Sequence, residues 1–303
     1  MDGRFKLIFL IAVLFMTGLP VLGILRGTDA PPTPPDRDFP SQPSSASEAS
    51  SEASRDEAIS GRANEDEMVE IPAGEFILGS DKGGFNEKPA HVAHLDAYWI
   101  DRYEVTYQRY MEFVEATGHR QPGPPSRYAE KLGLLRGPHQ PITYVSWSDA
   151  NDYCQWRGKR LPTEQEWEKA MRGTDGRTWP WGEGLSGHPA NFAGEADGYV
   201  VSAPVGAFPL DQSVFGVYDG AGNVMEWTDN WYVEDLYLQE NAATPTSNGS
   251  PSTYKTMRGS GYTSQGVDIR ITNRSFMVPD FRDETIGFRC ASSEPPRQSD
   301  ELG

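Results

Sequence analysis

Residues 145–173, V-S-W-S-D-A-N-D-Y-C-Q-W-R-G-K-R-L-P-T-E-Q-E-W-E-K-A-M-R-G, constrain the chain more than any other stretch. Their spacing predicts two short helices. Ser146 or Ser148 can cap the first, because a hydroxyl there accepts one of the backbone N–H groups that an opening helical turn leaves unpaired. That helix carries Ala150, Tyr153, Cys154 and Trp156 and stops at Gly158. The second opens on a capping box, with Thr163 accepting from the turn and Glu166 reaching back. It turns Trp167, Ala170 and Met171 inward and ends at Gly173. Between the two, Gly158-Lys159-Arg160-Leu161-Pro162 is a tight, basic turn. Three tryptophans and one of the chain's two cysteines in so short a span mark a corner of a core.

Composition narrows the function classes. A net charge of −17 and a pI near 4.7 exclude nucleic acid as a partner, since no basic stripe offsets phosphate charge, and they disfavour docking on anionic lipid. At the N-terminus, Arg4 and Lys6 precede an uncharged apolar run from Leu7 to Leu25, broken by Thr17, Gly18 and Pro20. Residues 1–25 are therefore a signal peptide cleaved near Gly23, or a retained N-terminal membrane anchor, the only route by which the sequence suggests contact with a membrane. Both place the rest of the chain in an exported, periplasmic or extracellular setting. In such an oxidising space Cys154 and Cys290 are expected to form a disulfide, with a reactive thiol as the alternative.

Residues 26–67, rich in Pro, Ser, Ala, Glu and Asp, cannot bury enough apolar surface to offset ordering entropy and read as a disordered linker. A folded domain is expected over 68–293, followed by a disordered tail, 294–303. Its start, M-V-E-I-P-A-G-E-F-I-L-G-S, reads as two short strands forming a hairpin at Ala73-Gly74, and Val92 to Ile100 reads as one alternating strand. A helix begins near Thr106, with Tyr110, Phe113 and Val114 inward and Gly118 past its end. Beyond residue 173 regular periodicity nearly vanishes. Loops of that length need fixing by something besides a core, such as metal ions or the disulfide.

The 145–173 run, W-P-W-G at Trp179–Gly182, G-N-V-M-E-W at Gly222–Trp227 and I-G-F-R-C at Ile286–Cys290 occur in an order that resembles the formylglycine-generating enzyme, or sulfatase-modifying factor, family. I-P-A-G-E-F-I-L-G-S and D-R-Y-E-V-T are similar to that family's entry segment. The resemblance implies an α+β fold, a loop-rich variant of the C-type-lectin architecture with little regular secondary structure, and a disulfide joining Cys154 to Cys290. It also implies two structural calcium sites. One would use the Asn191 side chain, the Phe192 carbonyl, Asp197 and the Tyr199 carbonyl. The other would use Asp219, the Gly222 and Val224 carbonyls, and Glu226. Oxygen-only donor sets of this kind suit a hard cation. Without an ion, the same residues form Asx-turns and a solvated glutamate.

The family's chemistry does not carry over. Its enzymes oxidise a substrate cysteine with copper held by two thiolates, located before the terminal G-F-R-C. Here no Cys precedes Cys290 in that interval, and Gly266 falls near one missing thiol; Met257 and Met277 read as core. No copper is expected, since a soft Cu(I) needs sulfur ligands. His91 and His94 point to opposite faces of an alternating strand, and the remaining histidines stand alone in loops. No Ser-hydrolase, nucleotide-binding or zinc-protease motif occurs. The interval that lacks the thiols carries Tyr262, Asp268, Arg270 and Arg274, which line the substrate groove in the family. They are candidates for binding a peptide, a protein or an anionic small ligand, and equally for an Arg–acid network tying down the terminal strand. Trp179, Trp181, Trp227 and Trp231 read as core rather than as a sugar-stacking platform. The expectation is an exported, calcium-stabilised binding or accessory module; the alternative is an oxidoreductase of the same family using other residues, of the siderophore-tailoring or formylglycine-generating type.

Overall fold

The N-terminal capping chemistry of three helices is where sequence and structure meet most closely. In the computed structural model, which describes residues 66–123, 132–192, 197–238 and 252–296, helix α1 spans Tyr107–Thr117. The Thr106 hydroxyl accepts from the Arg109 N–H, and Gly118 closes the helix at φ 71°, a conformation that costs glycine no Cβ clash. After a single turn, α2 (Leu132–Leu135), comes α3 (Trp147–Trp156), capped by Ser146 in a reciprocal box with Asp149. Helix α4 (Glu164–Arg172) opens on the expected Thr163–Glu166 box and ends at Gly173. Trp156 departs from expectation: it is 39% exposed, at the end of α3. Segments 1–25 and 26–65 and the tail from 297 lie outside the described residues.

Strand β1 (Met68–Ile71) and strand β2 (Gly74–Leu78) form, but not as a hairpin. Gly74, at φ 137°, lets the chain swing out of one sheet into another. Likewise the single strand expected over 92–100 breaks at Asp96-Ala97 into β3 (His91–Leu95) and β4 (Tyr98–Asp101). β2 pairs antiparallel with β3, while β1 pairs antiparallel with β4, which also takes the C-terminal β9 (Ala291–Ser292). The remaining sheet runs in the order β7-β6-β5-β8, from β5 (Met225–Trp231), β6 (Lys255–Arg258), β7 (Arg274–Met277) and β8 (Ile286–Gly287). Only β5 and β8 run parallel within it. The expected linker boundary moves as well. Asp66 pairs with Arg109 and Arg157, and Glu67 with Arg102, so ordered contacts begin before residue 68.

One core joins Tyr110, Phe113 and Val114 of α1 to Ala150, Tyr153 and Cys154 of α3 and to Trp227, Met257 and Phe288 of the sheet. A second gathers Ile71, Tyr98 and Ile100 around Trp167, Ala170 and Met171 of α4. Cys154 and Cys290 are disulfide-bonded, with a Cα–Cα distance of 5.6 Å and a sequence separation of 136. The bridge ties α3 to the last strand of the first sheet.

Helix α4 is buried on its polar side too, which its sequence pattern conceals. Arg274 donates to both oxygens of Glu164, at 2.7 and 3.0 Å. Glu168 accepts from Arg172 and from the Gly79 N–H on one oxygen, and from Arg258 and the Tyr237 hydroxyl on the other. The Lys169 ammonium donates to the Pro72 and Gly74 carbonyls. Glu164 and Glu168 are thus neutralised by arginine, and the Lys169 ammonium is bonded to two carbonyls. Removing one partner strands the other, so Glu168→Ala is expected to cost about 3–5 kcal/mol in chemical denaturation. Thr163→Ala, which removes only a cap, should cost about 1 kcal/mol in the same assay. Reduction of the disulfide should cost about 5 kcal/mol on the chain-entropy argument, read as a fall in midpoint with reductant.

Candidate functional site

The stretch that follows β6, residues 259–273, opens an interval that carries no cysteine before Cys290. It leaves the sheet through Gly259 (φ 74°), closely packed on the Trp167 ring, and turns at residues 261–264 with the Ser264 N–H on the Gly261 carbonyl. Gly266 lies against Leu185 and Phe192; a Cβ there would come within 2.8 Å of Leu185 Cδ2. The tip residue Val267 is 76% exposed and Leu185 38% exposed, so this rim is apolar. Beneath it, Tyr262 is buried with Leu135 and Val201.

The four groove candidates do not converge. Asp268 is exposed, 3.7 Å from Arg270, and the Arg270 guanidinium is turned onto the buried Glu87. Arg274 lies inside, on Glu164 and the Asn86 and Val233 carbonyls, above the Tyr237 ring. Tyr262 is enclosed at 4% exposure. Both arginines therefore have their charge neutralised from within the fold. Their carboxylate partners, Glu87 and Glu164, lie far upstream and were invisible as partners to a reading by spacing.

Glu87 shows what this does electrostatically. Burial would raise its carboxyl, but hydrogen bonds from Arg270, the Thr272 hydroxyl and the Gly84 N–H, with the Arg270 charge, outweigh burial and hold it at about 2.

The expected calcium sites are overturned. Among the described residues, no group of three or more His, Cys, Asp or Glu side chains is placed to hold a metal ion. Both oxygens of Glu226 are taken by Arg289, at 2.7 Å each. Asp219 accepts the Gly206 N–H, and its own φ of 63° directs it into that turn. Around Gly222 and Val224 the protein fills the space itself. The Gly222 backbone abuts Asn191, and the Val224 N–H donates to Glu104. In the other proposed set, Asn191 donates its amide to the Val201 carbonyl and to Asn223 Oδ1, and Asp197 accepts the N–H of Tyr199. Phe192 packs against the second core, while the second Asp197 oxygen is buried without a hydrogen-bond partner. The carboxyls of Glu104 and Asp211, buried beside Asp219, are pushed well up, by burial first and by that neighbouring charge second.

Both cysteines are consumed by the disulfide, and the full sequence holds no third. No thiolate pair exists to hold copper, so the residues present do not fit that cofactor.

This is a loop-rich α+β domain of short helices and small sheets, with both cysteines joined in one disulfide. The chain belongs to the sulfatase-modifying factor family, matching the sulfatase-modifying factor enzyme 1-like domain over residues 54–294. It is 35% identical over 239 residues to the serine/threonine-protein kinase Pkn1 of Chlamydia trachomatis serovar L2. That match covers 74% of this chain but only 38% of the kinase, so the chain spans well under half of that relative. It is 33% identical over 291 residues to the inactive C-alpha-formylglycine-generating enzyme 2 of Mus musculus, covering 77% of this chain and 88% of the relative. Among solved structures, PvdO from Pseudomonas aeruginosa superposes with a TM-score of 0.64 at 28% identity, covering 75% of this chain and 94% of PvdO. With Cys154 and Cys290 joined, this chain has no free cysteine pair.

The low Glu87 value sets a pH dependence. Its folded pKa lies below the unfolded value near 4.5, so its contribution is complete above that value and is lost as pH falls toward 2. Wild-type protein should lose about 3 kcal/mol of stability across that window relative to Glu87→Gln, measured by denaturant titration at stepped pH.

Proposed function

We propose that the protein is an exported binding or accessory module of the sulfatase-modifying factor family, built on a C-type-lectin-like variant of the family fold. The observation that carries this reading is the state of residues 259–290. The stretch keeps the family's scaffold yet contributes its single cysteine to the disulfide and exposes an apolar rim of Val267 and Leu185. A peptide or protein segment suits that rim better than a small anion does, because Arg270 and Arg274 already face Glu87 and Glu164. The apolar run with Arg4 and Lys6 ahead of it supports an exported location.

Incubated with Cu(I), oxygen and a cysteine-containing sulfatase peptide, the purified protein should form no aldehyde by mass spectrometry. Turnover, or a tightly bound redox metal in elemental analysis, would instead support the oxidoreductase reading. Val267→Asp should weaken capture of a peptide partner without changing the melting temperature, since the side chain is mostly in water.

A further inference from the structure

Loop 174–184 follows α4 and is fixed from several sides. Arg172 donates to the Gly176 and Arg177 carbonyls at 2.7 and 2.6 Å, and the Ile271 N–H to the Thr178 carbonyl at 3.1 Å. Trp179 and Gly182 exchange backbone hydrogen bonds at 3.1 and 2.9 Å, closing a tight turn that presents Trp181. The Trp181 ring is pinned twice. It lies parallel to Trp179, with an interplanar angle of 4° and centroids 5.9 Å apart, and its indole N–H donates to the Gly184 carbonyl at 2.9 Å. Trp179 is anchored in turn against the second core.

Trp181 lines an open groove of about 370 Å³ with Asp175, Arg177 and Glu183. Arg177 and Asp175 form a planar pair, with Nε and Nη2 on the carboxylate at 2.9 and 2.7 Å. Asp175 also accepts the Arg177 N–H at 3.2 Å, Arg177 Nη1 donates to the Pro180 carbonyl at 3.1 Å, and the Asp175 side chain stays 57% exposed. Glu183, itself exposed, is held by the Thr178 N–H and hydroxyl.

We propose that this groove binds a neutral saccharide, stacked on Trp181 and hydrogen-bonded at its edge by the Asp175–Arg177 pair. The ring supplies a flat apolar surface already ordered before a ligand arrives, so little side-chain entropy is lost on contact. The pair sets an acceptor beside a donor, which matches adjacent hydroxyls on a sugar ring. Two carboxylates against one guanidinium leave the groove negative, in a chain of net charge −17, which repels sulfated, phosphorylated or carboxylated ligands. A quaternary ammonium would also stack on the indole, but it offers nothing to the Asp175–Arg177 pair. This site is separate from the 259–273 rim, and its test reads neither sulfatase-peptide turnover nor capture of a protein partner.

The test titrates the full-length chain with tetrasaccharides of β-1,4-linked glucose and of β-1,4-linked N-acetylglucosamine, with choline as the cationic control. Tryptophan fluorescence and calorimetry give the readout. Wild type should bind at least one tetrasaccharide and not choline. Trp181→Ala, with an unchanged far-UV spectrum, should raise Kd by about tenfold or more. Asp175→Ala should weaken binding while Trp181→Phe, which keeps a stacking face, retains part of it. Absence of binding to either tetrasaccharide, affinity unchanged in Trp181→Ala, or a preference for choline would overturn the proposal.

Discussion

The ion-paired underside of α4 is the interaction on which the rest of the fold depends. Glu164 and Glu168 sit one turn apart on a helix without solvent access, facing Arg274, Arg258 and Arg172. Through these pairs α4 holds β7, β6 and the end of β2 at once, because Arg172 also reaches the Ile77 and Gly79 carbonyls. A buried pair adds little net stability over an apolar replacement, since desolvation cancels most of the Coulomb gain. What it adds here is direction. An apolar contact tolerates sliding, whereas a guanidinium bidentate on a carboxylate fixes the distance and angle between helix and strand. Where so little of a chain is regular structure, such fixed points replace long ladders and continuous helix faces.

A second set of fixed points works at the opposite end. Arg289, in the terminal G-F-R-C, takes both oxygens of Glu226 and also reaches the Tyr218, Asp101 and Arg102 carbonyls. One residue later Cys290 joins Cys154, and its N–H donates to Asp101. The C-terminal strand is thereby held covalently to α3 and electrostatically to β5. Glu104, Asp211 and Asp219 lie close by, so this arginine offsets several buried acids at once, and burial resolves the excess by favouring the protonated forms of Glu104 and Asp211.

The sequence made local features legible and concealed distant ones. Thr106, Ser146 and Thr163 announced their helices because capping is chemistry among residues three apart. The Cys154–Cys290 pairing was accessible because no other cysteine competes. The hairpin expected at Ala73-Gly74 failed since strand pattern says which segments are extended, not which sheet each enters. For Arg270 and Arg274 the sequence allowed an Arg–acid network but hid its partners for a related reason. Nothing near Arg270 or Arg274 in sequence reveals Glu87 or Glu164, separated by 183 and 110 residues. Trp231, expected in the core, is 44% exposed because β5 irregularities between Trp227 and Trp231 carry it past the packed part of the sheet; Trp227 itself is fully buried.

These two sets of buried contacts leave the loop tips outside them. None of the groups that hold α4 to β6 and β7, or Arg289 to Glu226, lies in the 261–268 turn. That turn is attached to the scaffold at its ends, by Gly259 packing on Trp167 and by Ile269 and Ile271 in the second core. Loop 174–184 is attached in the same way, by Arg172 and by the Ile271 N–H. Side chains at the tips of both loops are therefore free to change chemistry without disturbing the charges that define the fold.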